Sequence, residues 1–394
     1  MTKTIKLGLV ASSLLLGVNT LSADSLHEAL SNGKVSGDVT IAYESRDFDK
    51  EVGTYYQNTA WSVGSVGLNY ETGSYNNFNA AIGYRGYAKL YEGDDKSSTN
   101  GGMGDANDRI KDTQGNDQIS QAYIQYKAND LAIQLGRKDI AWGTTDWITK
   151  IHQGVFAQYK VNDNLNLEAL FSDKRGRVYA HELFPMADIN GDKGLYQGAG
   201  TYKINDNYTL KGYYIDATDS HSITGGKLST SHTIAEYKVG SLIHLMQTSE
   251  DVATKKDGEL TELQVSASRD GIYALLGYVK TGSENGWGSA ASAGDMVVWF
   301  EEGDIMYATD VETTYLYLSK SIAGISLSAL YGTTSYRKSE NGEEYRGSEL
   351  DVWASHNFNK NLSLSLGYAM TNEDNDDSGI SDMDQLNAKL KYTF

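Results

Sequence analysis

The chain ends "DQLNAKLKYTF", Asp384 to Phe394, and this stretch decides the fold. Side chains alternate between faces along an extended strand. Leu386, Ala388, Leu390, Tyr392 and Phe394 fall on one face, and Gln385, Asn387, Lys389, Lys391 and Thr393 on the other. One face is apolar and the other fully polar, so the strand divides an oily medium from a wet one. The same alternation runs through "LSLSLGYAM" (362–370), "FNAAIGYRGYAKLY" (78–91), "LAIQLGRK" (131–138) and "LNLEALFSDK" (165–174).

Working outward from these segments predicts eighteen strands between residues 35 and 394, among them 154–162, 165–174, 229–239 and 242–251. Their connections alternate in length. Short ones are Asn129-Asp130 and the triplets Asn162–Asn164, Asn205–Asn207, Arg269–Gly271 and Asn359–Asn361. Asn, Asp and Gly accept the positive φ of tight hairpins. Between them stand long ones: residues 92–116, 175–194 and 283–310. Short turns on one side, long loops on the other and an even strand number are the layout of a transmembrane antiparallel β-barrel. On this pattern the fold class is all-β, with short periplasmic turns and long extracellular loops. A soluble β-sandwich alternates too, but would turn its apolar faces into a core.

The N-terminus is consistent with export. Lys3 and Lys6 precede the apolar run Leu7–Val18, and small residues close with Ala23. This is the three-part form of a secretory signal peptide of Sec type. The predicted division is residues 1–23 signal peptide, 24–34 a short periplasmic segment and 35–394 the barrel. No later stretch reaches the roughly 20 apolar residues of a membrane-spanning helix, so strands must do the crossing.

Composition excludes several functions. The 394 residues carry 34 Lys plus Arg against 52 Asp plus Glu, a formal net charge of −18, which argues against nucleic acid as a partner. With no cysteine there is no disulfide or thiolate site, and one proline with 41 glycines and 28 tyrosines suits long twisted strands. No cofactor is implied. "DNDDSG" (374–379) begins like a calcium loop, but the twelfth position is Gln385, where a bidentate carboxylate is needed. No metal or catalytic site is assigned. The sequence lacks G-x-S-x-G, H-E-x-x-H and P-loop motifs, and an enzyme is not expected.

The terminal "LKYTF" resembles the last strand of outer-membrane porins. The stretch "DSLHEALSNGKVSGDVTIAYESR" (24–46) and "LAIQLGRKDI" (131–140) with the Trp-containing loop after it resemble the OprD-type porin family, in particular its ε-proteobacterial-like branch. The resemblance implies an eighteen-stranded barrel in the cell outer membrane, placed by the barrel-assembly machinery through Phe394 and surrounded by lipid and lipopolysaccharide. It implies passive, partly selective diffusion of small hydrophilic solutes, carboxylates or amino acids among them, along a basic lumenal ladder. Matching positions by alternation are Arg85, Lys89, Lys127, Lys138, Lys160 and Lys174, with Lys203, Lys211, Lys389 and Lys391. Lumenal acids such as Glu168, Glu236 and Asp351 would instead balance them and leave a merely hydrated wall.

The candidate constriction is the loop "AWGTTDWITKIHQG" (141–154), with Trp142, Asp146, Trp147, Lys150 and His152. The bland alternative puts its tryptophans in the interfacial girdle. The loop 175–194, with Arg175 and Arg177, is the second candidate. Tyr87, Tyr123, Tyr213, Tyr273 and Tyr315 are candidate lumenal aromatics. The alternatives to this channel are a loop-plugged structural or adhesive barrel and a sixteen-stranded general trimeric porin; the oligomer is a monomer or a homotrimer.

Overall fold

A computed structural model describes residues 23–51, 58–93, 117–140, 150–289, 298, 300–302, 308–337, 342–374 and 381–394. The expected signal peptide therefore lies outside the described residues but for Ala23. A six-residue helix, α1 (Leu26–Ser31), comes first, with Ser25 accepting from the Glu28 N–H as its N-cap. Strands follow: β1 (Lys34–Phe48), β2 (Thr59–Glu71), β3 (Phe78–Glu92), β4 (Asp117–Ala128), β5 (Leu131–Asp139), β6 (Ile151–Lys160) and β7 (Leu165–Val178). Next come β8 (Leu183–Asp188), β9 (Leu195–Asn205), β10 (Tyr208–Ala217), β11 (His221–Ile234), β12 (Tyr237–Glu250) and β13 (Glu259–Arg269). The last six are β14 (Ile272–Thr281), β15 (Thr309–Ile322), β16 (Ile325–Arg337), β17 (Glu344–Asn357), β18 (Leu362–Glu373) and β19 (Met383–Thr393).

Each strand pairs antiparallel with its neighbours, and β1 pairs with both β2 and β19, so the sheet closes. Closure removes the free edges that hydrocarbon would not tolerate. Eighteen strands make the wall, which overturns the sixteen-stranded alternative. The nineteenth, β8, stands apart: the lower part of β7 pairs with β9 from Leu165↔Tyr202 to Ser172↔Leu195, while its upper end pairs with β8 from Lys174↔Asp188 to Val178↔Leu183.

Burial follows the pleat. Large apolar residues point out and remain exposed, for example Ile82 and Tyr84 on β3, Leu316 and Leu318 on β15, and Leu386 and Leu390 on β19. Polar residues on the opposite face are buried inside, including Thr40, Gln134, Glu168 and Thr313. The apolar surface thus faces lipid. No helix among the described residues is long and apolar enough to cross a membrane.

Closure also explains both ends of the chain. Phe394 exchanges two 3.0 Å backbone hydrogen bonds with Gly37, and its ring lies where a Cβ at Gly37 would sit. The glycine of "KVSG" is the seat of the terminal aromatic. Beneath the barrel, α1 docks on the β2–β3 turn: the Gly73 N–H donates to Ala29 O at 2.8 Å, and the Tyr70 hydroxyl donates to Leu30 O.

One hairpin departs from expectation. The turn predicted at Gly240-Ser241 sits at Ala235-Glu236, with Ala235 at φ 53°, and β11 begins at His221. The outward face of β11 is Ser222, Thr224 and Gly226, so its upper half has no apolar alternation, and in such a stretch glycine is the stronger turn signal. Glu236 is consequently a turn residue paired with Arg269 rather than a lumenal acid. β6 likewise starts at Ile151, which draws His152 into the wall.

Candidate functional site

Two segments from the long-loop side turn into the barrel. The first is the β7–β8 hairpin, within the 175–194 loop. Ser65 on β2 donates its hydroxyl to Ala180 O at 2.6 Å, and Tyr87 on β3 donates to Tyr179 O at 2.9 Å and to Glu182 O at 3.3 Å. These lumen-facing hydroxyls satisfy carbonyls at the half-buried hairpin tip. Around them Ala42, Trp61, Val63, Ile151, Val178 and Leu183 form an apolar cluster inside the barrel. Arg177 pairs with the buried Glu182 at 3.2 Å and lies over the Phe184 ring.

The second is the β14–β15 loop. Trp287, Val298 and Phe300 are buried against lumenal residues of β10 to β16, including Ile215, Met246, Leu260 and Tyr315. The following pair is clamped by charge. The Glu301 N–H donates to Asp351 at 3.2 Å and the Glu302 N–H to Glu349 at 2.8 Å, two carboxylates on the inner face of β17. The Glu301 carboxylate accepts from Gln385 at 3.1 Å and Asn387 at 2.8 Å on β19. Glu302 meets Arg46 of β1 at 2.8 Å, and Arg46 also holds Glu44 at 3.1 Å. Trp61 donates to that same Glu44 at 3.4 Å, so the two segments are anchored next to each other on the β1–β2 wall.

The basic residues singled out in the sequence fall mostly into ion pairs and contacts. Arg85 grips Asp38 through both terminal nitrogens and donates to Ser65 at 2.8 Å. It therefore stiffens the hydroxyl that holds the hairpin. Lys138 lies 5.1 Å from the centre of the Tyr123 ring. Lys160 pairs with Asp163 at 2.6 Å by a short turn, and Lys174 with Asp188 at 3.1 Å across the hairpin base. Lys127 is half-buried above the β2–β3 turn, and Lys89 is exposed opposite Val63.

Of the first constriction candidate, Trp142, Asp146 and Trp147 lie outside the described residues. Lys150, at φ 81°, closes the base of that loop through its carbonyl to the Ile140 N–H. His152 is buried, 2.9 Å from the Ser172 hydroxyl. The candidate aromatics Tyr87, Tyr123, Tyr213 and Tyr315 are all buried on the inner face. Tyr213 bonds His244 at 2.7 Å, His244 reaches Glu262 at 3.2 Å, and Gln264 donates to Tyr315 at 3.0 Å. They are tied into the wall rather than presented as a slide.

Sequence reading missed the β14–β15 loop as an inward segment. Its signal was present: "MVVWFEE" (296–302) sets an apolar run and two acids in an otherwise polar loop. Among the described residues no group of three or more His, Asp and Glu is arranged to hold a metal ion.

A closed eighteen-stranded wall, lipid-facing apolar belt and polar lumen narrowed by inward loops define an outer-membrane channel barrel. The model of the Campylobacter major outer membrane protein family, a porin family, matches residues 2–238, and the chain belongs to that family. The fold is that of solved OprD-type porins. Acinetobacter baumannii OccAB2 is 15% identical with a TM-score of 0.75, over 93% of this chain and 99% of the other. Pseudomonas aeruginosa OccK3 (OpdO) is 12% identical with a TM-score of 0.72, over 94% and 97%. Pseudomonas aeruginosa OpdK, solved with vanillate, is 15% identical with a TM-score of 0.72, over 93% and 99%. No curated protein matches the sequence. The protein is an outer-membrane channel.

Proposed function

We propose that the channel passes small hydrophilic solutes by diffusion and that its lining favours cations over anions. The supporting observation is the state of the lumenal cations. Arg85 is held by Asp38, Arg46 by Glu44 and Glu302, Arg177 by Glu182 and Lys174 by Asp188. A ladder that steers carboxylates needs open positive charge, and here each of these charges is matched at contact distance. Four carboxylates, those of Glu301, Glu302, Glu349 and Asp351, gather around the clamp.

A second reading, a barrel sealed by its loops, is favoured by the apolar packing of Trp287, Val298 and Phe300 inside the wall. Single-channel recording in a planar bilayer under a KCl gradient decides among them. Steps with a cation-selective reversal potential are the expected result. An anion-selective reversal would restore the ladder, and the absence of steps from folded barrels would leave the sealed reading. Single conductance levels mark a monomer, and levels in threes a homotrimer.

A further inference from the structure

On the outer wall, β14 to β18 carry three aligned rows of side chains just below the long-loop rim. The lowest is apolar: Leu276, Leu316, Tyr331, Leu350 and Met370 stand opposite one another in register. Two residues higher runs a polar row, Tyr278, Thr314, Thr333, Ser348 and Asn372. Above it stand Lys280, Glu312, Ser335 and Arg346, with Asp374 bonded through its N–H to Arg346 O at 2.9 Å. Because the middle row is mostly short hydroxyl side chains between longer neighbours, the wall is hollowed there into a half-open groove of about 510 Å³. That size falls within the roughly 300–1,000 Å³ of small-molecule sites.

We infer that this groove holds the saccharide headgroup of an outer-leaflet glycolipid. Its height supplies the first argument. The apolar row beneath it faces acyl chains, and Tyr331 marks the interface, where tyrosines concentrate. Whatever enters the groove from the membrane is therefore the headgroup joined to those chains. In the outer leaflet of this membrane that headgroup is a phosphorylated amino sugar. Chemistry supplies the second. Hydroxyls that donate and accept, carboxylates of Glu312 and Asp374, the Arg346 fork and two tyrosine rings suit the hydroxyls and apolar faces of a sugar. Lys280 is paired to Glu312 at 2.5 Å and Arg346 to Glu344 at 3.0 Å, so the groove offers no cation excess for a bare phosphate. Sugar contacts carry the recognition.

Native mass spectrometry of the full-length protein tests this, after delipidation and resupply of purified lipid A or of phosphatidylglycerol. Only barrels with heat-modifiable mobility on gels are measured, which removes unfolded material. One tightly held lipid A per wild-type barrel is expected, lowered about tenfold by Thr333→Trp or Ser348→Trp, which fill the groove from its outward-facing middle row. Thr224→Trp, outward on the remote β11, serves as the control and leaves occupancy unchanged. Equal retention by all variants, equal occupancy by phosphatidylglycerol, or no retained lipid A in the wild type would overturn the site.

Discussion

The two inward segments are held by different physics. The β7–β8 hairpin is gripped through neutral groups: two hydroxyls on three carbonyls and a buried apolar cluster. Glu301 and Glu302 of the β14–β15 loop are gripped through charge, with Asp351 and Glu349 accepting their backbone N–H groups and Arg46 holding Glu302. The direct contacts of a neutral grip carry no net charge for salt to screen. A charged one is screened as the Debye length falls from about 10 Å at 0.1 M to about 3 Å at 1 M salt, less so where solvent is excluded. The hairpin therefore acts as fixed architecture, and the clamp is the adjustable element.

The largest expected effect comes from Arg46→Ala. The Arg46 side chain is 9% exposed and that of Glu302 13%, so solvent replaces little of the lost interaction. Removing one partner of a buried pair costs about 3–5 kcal/mol, and this site belongs toward the lower end because the lumen is wet. The expected outcome is a larger, noisier conductance with stronger cation preference, while the barrel keeps its heat-modifiable mobility. An unchanged trace would mean that Arg46 does not restrain the loop.

Leu183→Ala breaks the neutral grip instead. Leu183 is fully buried among Trp61, Val63 and Val178. Leu-to-Ala changes in packed cores cost about 2–5 kcal/mol. Conductance is expected to rise as the hairpin loosens, and the rise should be the same at low and high KCl. The Arg46→Ala difference from wild type should shrink at high KCl, where the wild-type clamp is itself weakened. Parallel salt dependence in the two variants would erase the distinction between the grips.

Much of the wall was readable from sequence because lipid outside and water inside impose a period of two on every strand. Leu386 and Leu390 against Gln385 and Asn387 show it, and the observed β19 carries that division. Reading failed where one side of the pattern was missing. In β11 the outward Ser222, Thr224 and Gly226 hid the upper strand, and the turn fell on an alanine at positive φ. Charge alone also misled. Arg85 and Lys89 sit on one inner face as the alternation says, but no local pattern reveals that Asp38, 47 residues earlier, closes on Arg85 once β1, β2 and β3 pair. Inward loops were half readable: 175–194 was a candidate for its arginines, whereas its anchoring depends on hydroxyls contributed by Ser65 and Tyr87 from distant strands.

Glu301→Gln probes the clamp more gently. Its carboxylate accepts from Gln385 and Asn387, and charge-assisted hydrogen bonds contribute about 1.5–3 kcal/mol each. Glutamine keeps an acceptor oxygen, so only part of this is lost. A modest shift of the reversal potential toward zero is expected, with little change in conductance. A large conductance change would show that the carboxylate is structural before it is electrostatic.

Tyr87→Phe is the smallest change and the sharpest test of the neutral grip. It deletes one hydroxyl that donates to both Tyr179 O and Glu182 O and leaves the ring in the apolar cluster. A neutral hydrogen bond contributes about 0.5–1.5 kcal/mol, and the two carbonyls left behind can recover water from the lumen. The hairpin should therefore stay seated, with conductance close to wild type and only more frequent brief openings. Coupling to Ser65→Ala distinguishes the mechanisms. If the two hydroxyls hold one rigid tip, the double variant should release the hairpin more than the single effects sum to, because each remaining bond keeps the tip ordered for the other. Strict additivity would mean that the apolar cluster alone seats the hairpin and that the hydroxyls only satisfy its carbonyls.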